Sequence, residues 1–336
     1  MNFGGIDLHK KTITVCVANQ ERTIVQRKTW ACSDTEAIRC FFAGLRPFRA
    51  VVEATASYEW LWQLLEPLAE RLVLAHPKKL RLIAESARKS DKLDAQILAE
   101  FLALDLIPEA YRPTPRQRQH RALVRQRYFL GRHITAVKNK IRHVLAAYNA
   151  DRRDLFSDRG QEYLAGVAVS DADRFVVEQL LASWQHLEKQ RGALDRQLRA
   201  FAKKAPAAEQ EARAVLGSIP EVGPVTVDIV LSELGDVQRF RSAKKVAAYA
   251  GLAPGQRESA GRSKELGISK EGSALLRWAL VEAAWRVVRK TGRWRTTLET
   301  LARRRGRKKA IVAVARRLLG VMVALLRTGQ RYRLAA

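Results

Sequence analysis

Acid is short in this sequence relative to base: 34 Asp and Glu stand against 61 Lys and Arg in 336 residues, a formal net charge of +27. A field of that sign and size gathers polyanions at the surface and points to nucleic acid. Cysteine is also scarce. Cys16, Cys32 and Cys40 form no CxxC pair and have no histidine at zinc spacing, which excludes a disulfide framework and a zinc finger and leaves reduced thiols. No run of about 18 apolar residues occurs, so no membrane span is expected. The N-terminus lacks the charged-then-apolar layout of a signal peptide. These absences together predict a soluble cytoplasmic protein, with room for two or three domains.

Apolar runs near the N-terminus alternate as strands do. Residues 3 to 7 read as a short strand, Thr12 to Ala18 as a second and Thr23 to Trp30 as a third, after a polar turn at Asn19 to Arg22. Ser33-Asp34-Thr35-Glu36 supplies N-cap chemistry for a helix reaching about Leu45. A fourth strand, Arg49 to Ala54, a helix from Tyr58 to Glu70 and a fifth strand, Leu72 to Ala75, follow. Helical sequence then runs from Lys79 to Glu85 and from Asp91 to Leu104. That order is the order of a ribonuclease-H-like domain, in which the first and fourth strands are neighbours.

Four acids fall at telling places in this order. Asp7 lies in Phe3-Gly4-Gly5-Ile6-Asp7, at the end of the first strand, and Glu53 in Val51-Val52-Glu53, at the end of the fourth. Asp91 and Asp94 are three residues apart in helical sequence and share one helix face. Carboxylates drawn from two strands and one helix suit hard divalent cations such as Mg²⁺. Two such ions roughly 4 Å apart can stabilise the attacking and leaving oxygens of a phosphodiester displacement. Each acid taken alone also fits a plain strand-end or helix-dipole role.

Between Ala110 and Ala150 there is no acid, yet ten Arg or Lys occur, among them Arg118, Arg121, Arg125, Arg132, Lys138 and Arg142. Leu123, Leu130, Ile134, Val137, Ile141 and Val144 recur at threes and fours, so this is an amphipathic helix with a cationic face suited to phosphate contact. Asp171 to Lys204 reads as a second long helix of mixed charge, a hairpin partner or dimer arm, and 203–210 as a linker. Ile219-Pro220-Glu221-Val222-Gly223-Pro224 then has the form of a helix-hairpin-helix turn, with the glycine permitting the tight turn and N–H groups free to hold a phosphate. Residues 254–264 read as a polar loop in which Arg257, Arg262 and Lys264 flank Ser259; this composition fits plain linkage and equally fits a setting that lowers the cost of serine attack on a phosphate. Trp285 to Arg317 holds thirteen Arg or Lys against the single acid Glu299, a second cationic helical face.

Taken together, Gly5-Ile6-Asp7, the Glu53 strand end, Lys89-Ser90-Asp91-Lys92-Leu93-Asp94-Ala95, the Ile219 to Pro224 hairpin and the Gly251-Leu252-x-Pro254 to Ser259-x-Gly261 segment resemble the insertion-sequence-110 family of transposases over about residues 3 to 325. The resemblance implies a RuvC-like ribonuclease-H-fold domain at 1–109, a basic helix and coiled-coil arm at 110–205, and a mainly helical transposase domain at 206–336. It implies a metal-binding tetrad of Asp7, Glu53, Asp91 and Asp94, with Mg²⁺, and a nucleophilic serine at Ser259. The family commonly has Ser-Gly-Gly where this chain has Ser259-Ala260-Gly261, which keeps Ser242 and then Ser263 in reserve. Donor and target DNA, a structured non-coding guide RNA, dimers pairing into tetramers and a nucleoid-associated bacterial setting are further implications. A Holliday-junction-resolvase-like endonuclease acting by water attack, and a catalytically silent nucleic-acid scaffold, are the competing readings.

Overall fold

The computed structural model describes residues 1–55, 57–83, 91–259 and 262–333, with side chains at all of these except 82–83, 91–93, 256–259 and 262–265. The chain divides into two compact units, Met1–Arg112 and Pro113–Ala336.

The first unit is built on a five-stranded mixed sheet of β1 (Asn2–Leu8), β2 (Thr12–Ala18), β3 (Ile24–Ala31), β4 (Phe48–Glu53) and β5 (Arg71–Ala75), in the spatial order β3-β2-β1-β4-β5. The three-strand meander is antiparallel, whereas β4 and β5 join parallel to β1. This is the order a ribonuclease-H-like domain requires. Period-two alternation sends Ile6, Ala50, Val52 and Leu74 to one face, where α1 (Thr35–Gly44) and α2 (Tyr58–Leu65) add Ile38, Phe42, Leu61 and Leu65 to the core. Val51 and Val73 go to the other face and pack against Leu98 and Leu102 of α4 (Asp91–Ala103), while α3 (Pro77–Ile83) contributes Leu80 at its margin. Helix α2 is shorter than the 58–70 pattern predicts. Glu66 still has helical backbone and donates its N–H to the Trp62 carbonyl, but Pro67 has no N–H to continue the ladder, so the helix stops at Leu65.

The second unit is helical. Helix α5 (Pro115–Ala146) opens on Thr114, whose hydroxyl accepts a hydrogen bond from the Gln117 N–H at 3.2 Å, with Pro115 at the first helical position. It pairs antiparallel with α7 (Asp171–Lys203) through Arg127–Asp195, Lys138–Glu188 and Tyr148–Asp173, closed by a short α6 (Asp158–Gly166). The expected linker at 203–210 is mostly helix: Pro206 caps α8 (Ala207–Gly217), because an alanine-rich stretch forms helix readily once a proline sets its start. The expected boundary at 205/206 therefore lies within this unit.

Helices α8 and α9 (Pro224–Leu234) are joined by the tight turn that the sequence suggests, but the left-handed residue is Glu221, at φ 64°, and Gly223 is extended at φ −82°. Ile219 and Val222 are buried by that turn and enter the main core with Val227, Val230 and Leu234. After α10 (Ala243–Tyr249), the expected polar loop is an antiparallel hairpin, β6 (Pro254–Ser259) with β7 (Arg262–Ile268). The composition of that stretch is loop-like, but cross-strand pairing satisfies its backbone. Helices α11 (Ala274–Lys290), α12 (Gly292–Arg305) and α13 (Arg307–Thr328) complete the unit, with Leu276, Leu280, Val314, Leu318 and Met322 fully buried. Among the described residues no helix is long and apolar enough to cross a membrane.

Candidate active site

In the first unit, Ile6 on β1 lies opposite Val52 on β4 in a parallel ladder, and the next residue on each strand is an acid. Asp7 and Glu53 thus stand side by side at the carboxyl ends of neighbouring strands, the edge at which open parallel sheets present ligands. The chain leaves this edge at once: the Ala54 N–H donates to the Ala75 carbonyl, and Thr55 turns back on Glu53. The Asp7 side chain is 14% exposed and accepts a hydrogen bond from His9 Nε2 at 3.1 Å. Sequence reasoning passed over His9. Its position two residues past Asp7 was the available signal.

Helix α4 is brought over these acids by a glycine. Gly5 shares its sheet face with Asp7, and a Cβ on Gly5 would collide with the Ala95 carbonyl oxygen and the Ala99 N–H. Backbone therefore lies on backbone, and Ala95 and Ala99 are fully buried there. Asp94, the residue before Ala95, is exposed near the start of the helix. Asp91 is the first residue of α4, and its side chain lies outside the described residues. Among the described residues no three His, Cys, Asp or Glu side chains come close enough to hold a metal ion. The donor chemistry does suit one: oxygen-only ligands from two strand ends and one helix start match a hard divalent cation.

The six cationic residues of the basic helix and the three that flank Ser259, all candidates for nucleic-acid contact, separate into four groups. Arg121 donates to the Ser232 and Glu233 carbonyls at 2.7 and 2.9 Å, and Arg125 grips the Glu233 carboxylate through two hydrogen bonds of 2.8 and 3.1 Å. Both thereby hold the C-terminal turn of α9. The Glu233 carboxylate beside Arg125 raises the guanidinium's pKa further, against the opposing pull of burial. Arg118 donates to the Pro113 carbonyl, Lys138 sits over the Phe156 and Trp184 rings at 4.8 and 4.9 Å, and Arg142 pairs with Asp151 at 2.6 Å. Arg132 is exposed, with no ion-pair or hydrogen-bond partner among the described residues. The side chains of Arg257, Arg262 and Lys264 lie outside the described residues. At the other basic segment, Arg303 to Lys309 are all exposed around Gly306, whose φ of 76° turns the chain from α12 into α13.

Ser259 is the last residue of β6 and is paired across the hairpin with Arg262, while Ser263 stands opposite Glu258. Their side chains lie outside the described residues. Ser242 caps α10, its hydroxyl accepting from the Lys245 N–H at 3.3 Å, which gives that serine a structural use.

Comparison with known proteins matches two stretches. Residues 4–150 fit the model of a DEDD transposase family, and residues 213–299 that of the "Transposase IS116/IS110/IS902 family". The transposase for insertion sequence element IS1111A of Coxiella burnetii is 28% identical, covering 99% of this chain and 91% of its own length. A probable family 20 transposase of Pseudomonas aeruginosa is 27% identical over 98% of both chains. The pilin gene-inverting protein of Moraxella bovis is 25% identical over 98% of this chain and 96% of its own.

Proposed function

This chain belongs to the IS116/IS110/IS902 family of transposases and is a DNA-recombining enzyme, and from that premise we propose how its residues divide the work. Residues 1–109 are the nuclease domain, 110–205 an arm and 206–336 the transposase domain. Asp7 and Glu53, with Asp91 and Asp94 from α4, hold divalent metal, with Mg²⁺ the ion of choice for an all-carboxylate site. When bound, the metal supplies electrostatic stabilisation of the phosphate oxygens. The in-register placement of Asp7 and Glu53 under the start of α4 is the observation that carries this reading.

Ser259 is the proposed nucleophile. Its oxygen bonds to a DNA phosphorus, a deoxyribose oxygen leaves, and the serine proton ends on that leaving oxygen. A sugar hydroxyl of the second DNA then reverses the exchange and frees the serine. Ser259 pairs with Arg262 across the backbone ladder of the hairpin, and cationic residues in such a segment are of the type that favours negative charge developing on phosphate. A structured non-coding RNA is the proposed guide, pairing with donor and target, while the protein contacts backbone through exposed cations such as those from Arg303 to Lys309. Dimers pairing into tetramers are the proposed assembly.

The test is denaturing capture of a protein–DNA adduct with magnesium, guide RNA and matched DNA. An adduct lost in Ser259→Ala and kept in Ser242→Ala supports the assignment. Cleaved DNA with no adduct in the wild type replaces it with water attack, the resolvase-like reaction.

A further inference from the structure

The second unit contains a cavity of about 380 Å³ between α5, α7, α9 and α11 that the proposed chemistry does not use. That volume is at the lower end of small-molecule sites, which start at roughly 300 Å³. Its floor is apolar, made by Val124, Leu198 and Ile229, all nearly fully buried. One wall is Trp278, which is 43% exposed although Leu275, Leu276, Ala279 and Leu280 around it on α11 are buried. Tyr128 lies against it, with ring centroids 5.3 Å apart. An indole left half open at a cavity wall is a stacking platform.

The polar groups on this cavity are cationic. Arg127 and Arg191 line it, each fixed by an acid, Asp195 at 2.5 Å and Glu188 at 2.5 Å. Arg132 lines it too, exposed and with no partner among the described residues. The acid on the lining, Asp228, is already held by His120 at 2.8 Å and Arg213 at 2.7 Å. The lining thus offers positive charge beside an open aromatic face, and an apolar floor too small for a protein segment.

We propose that this cavity takes one unstacked nucleotide of a single-stranded nucleic acid, the base stacking on Trp278 and the phosphate meeting Arg132. Aromatic stacking combined with guanidinium contact is the general chemistry of single-strand binding, and it tolerates any base. A paired base cannot reach the indole, so the site selects unpaired strands. DNA opened during strand exchange and an unpaired loop of RNA present the same chemistry. The inference rests on the reading of this chain as a nucleic-acid enzyme.

Gly131 provides a clean test. It lines the cavity, and a Cβ built there meets no atom within 4 Å, so the Gly131→Leu side chain starts in open space at the cavity wall. The full-length wild type and its Gly131→Leu and Trp278→Ala variants are titrated by fluorescence anisotropy. The probes are a single-stranded DNA, an RNA of the same sequence and a blunt DNA duplex, with thermal melting run in parallel. Both variants are expected to bind single strands about tenfold more weakly, with duplex affinity and melting unchanged for Gly131→Leu. Loss confined to the DNA probe, or to the RNA probe, supports the site and names its source. Single-strand affinity equal to wild type in Gly131→Leu overturns the proposal. Wild-type protein that binds none of the three probes overturns the nucleic-acid reading itself.

Discussion

Gly5 on β1 lies directly beneath the backbone of Ala95 on α4, with no room for a side chain between them. This contact sets where the helix carrying Asp91 and Asp94 begins relative to the strand carrying Asp7. Gly5→Ala is therefore expected to push α4 off the sheet, lowering stability by about 1–3 kcal/mol and abolishing strand cleavage. Gly4→Ala is the control. A Cβ there meets the Ala50 Cβ at 3.5 Å, an ordinary contact, so its melting temperature and activity should stay close to wild type.

Asp7→Asn and Glu53→Gln remove charge from the strand edge while keeping shape. Each is expected to lower DNA cleavage by about 10²-fold or more, with circular dichroism and thermal melting little changed. Full activity in either variant would remove that acid from the site.

Arg125 reaches outward from α5 with its side chain 58% exposed, yet its partner Glu233 is 2% exposed. Arg125→Gln leaves a buried carboxylate short of donors, and the expected loss is about 1–3 kcal/mol of stability, measured by urea unfolding. Arg132→Gln should leave unfolding unchanged. This separates cations that hold the fold from one that is free to meet a ligand.

The second unit should also weaken in acid. Burial pushes the Glu209 carboxyl up, but hydrogen bonds from Arg116 and Arg213 outweigh it and hold the group below its ordinary value of 4.5. A depressed carboxyl contributes stability above its unfolded value and loses it as pH falls through the folded value. Thermal melting should fall as pH drops below about 4.5, and the fall should be shallower in Glu209→Gln. Parallel curves for the two proteins would contradict this.

Much of the first unit was legible because its signals are local. Apolar runs with period two gave the strands, their order gave the neighbours, and the acids stood at run ends where register could be inferred. The second unit hid more, since its decisive contacts span long separations. Arg121 and Arg125 read as a phosphate-binding face because the carbonyls and carboxylate they hold lie more than a hundred residues away, on α9. The turn before α9 was recognised, yet Gly223 was credited with a conformation that Glu221 adopts. Composition alone made a loop of what backbone pairing makes a hairpin at β6 and β7. Trp278 gave no sequence signal, because an aromatic within an apolar helix reads as core.

The most direct measurement is anomalous scattering from crystals of the protein grown with Mn²⁺ and DNA. The account predicts manganese peaks about 2.1 Å from carboxylate oxygens of Asp7 and Glu53, with further ligands from Asp91 or Asp94. Manganese bound elsewhere while Asp7 and Glu53 stay without it, in crystals that hold cleaved DNA, would contradict it.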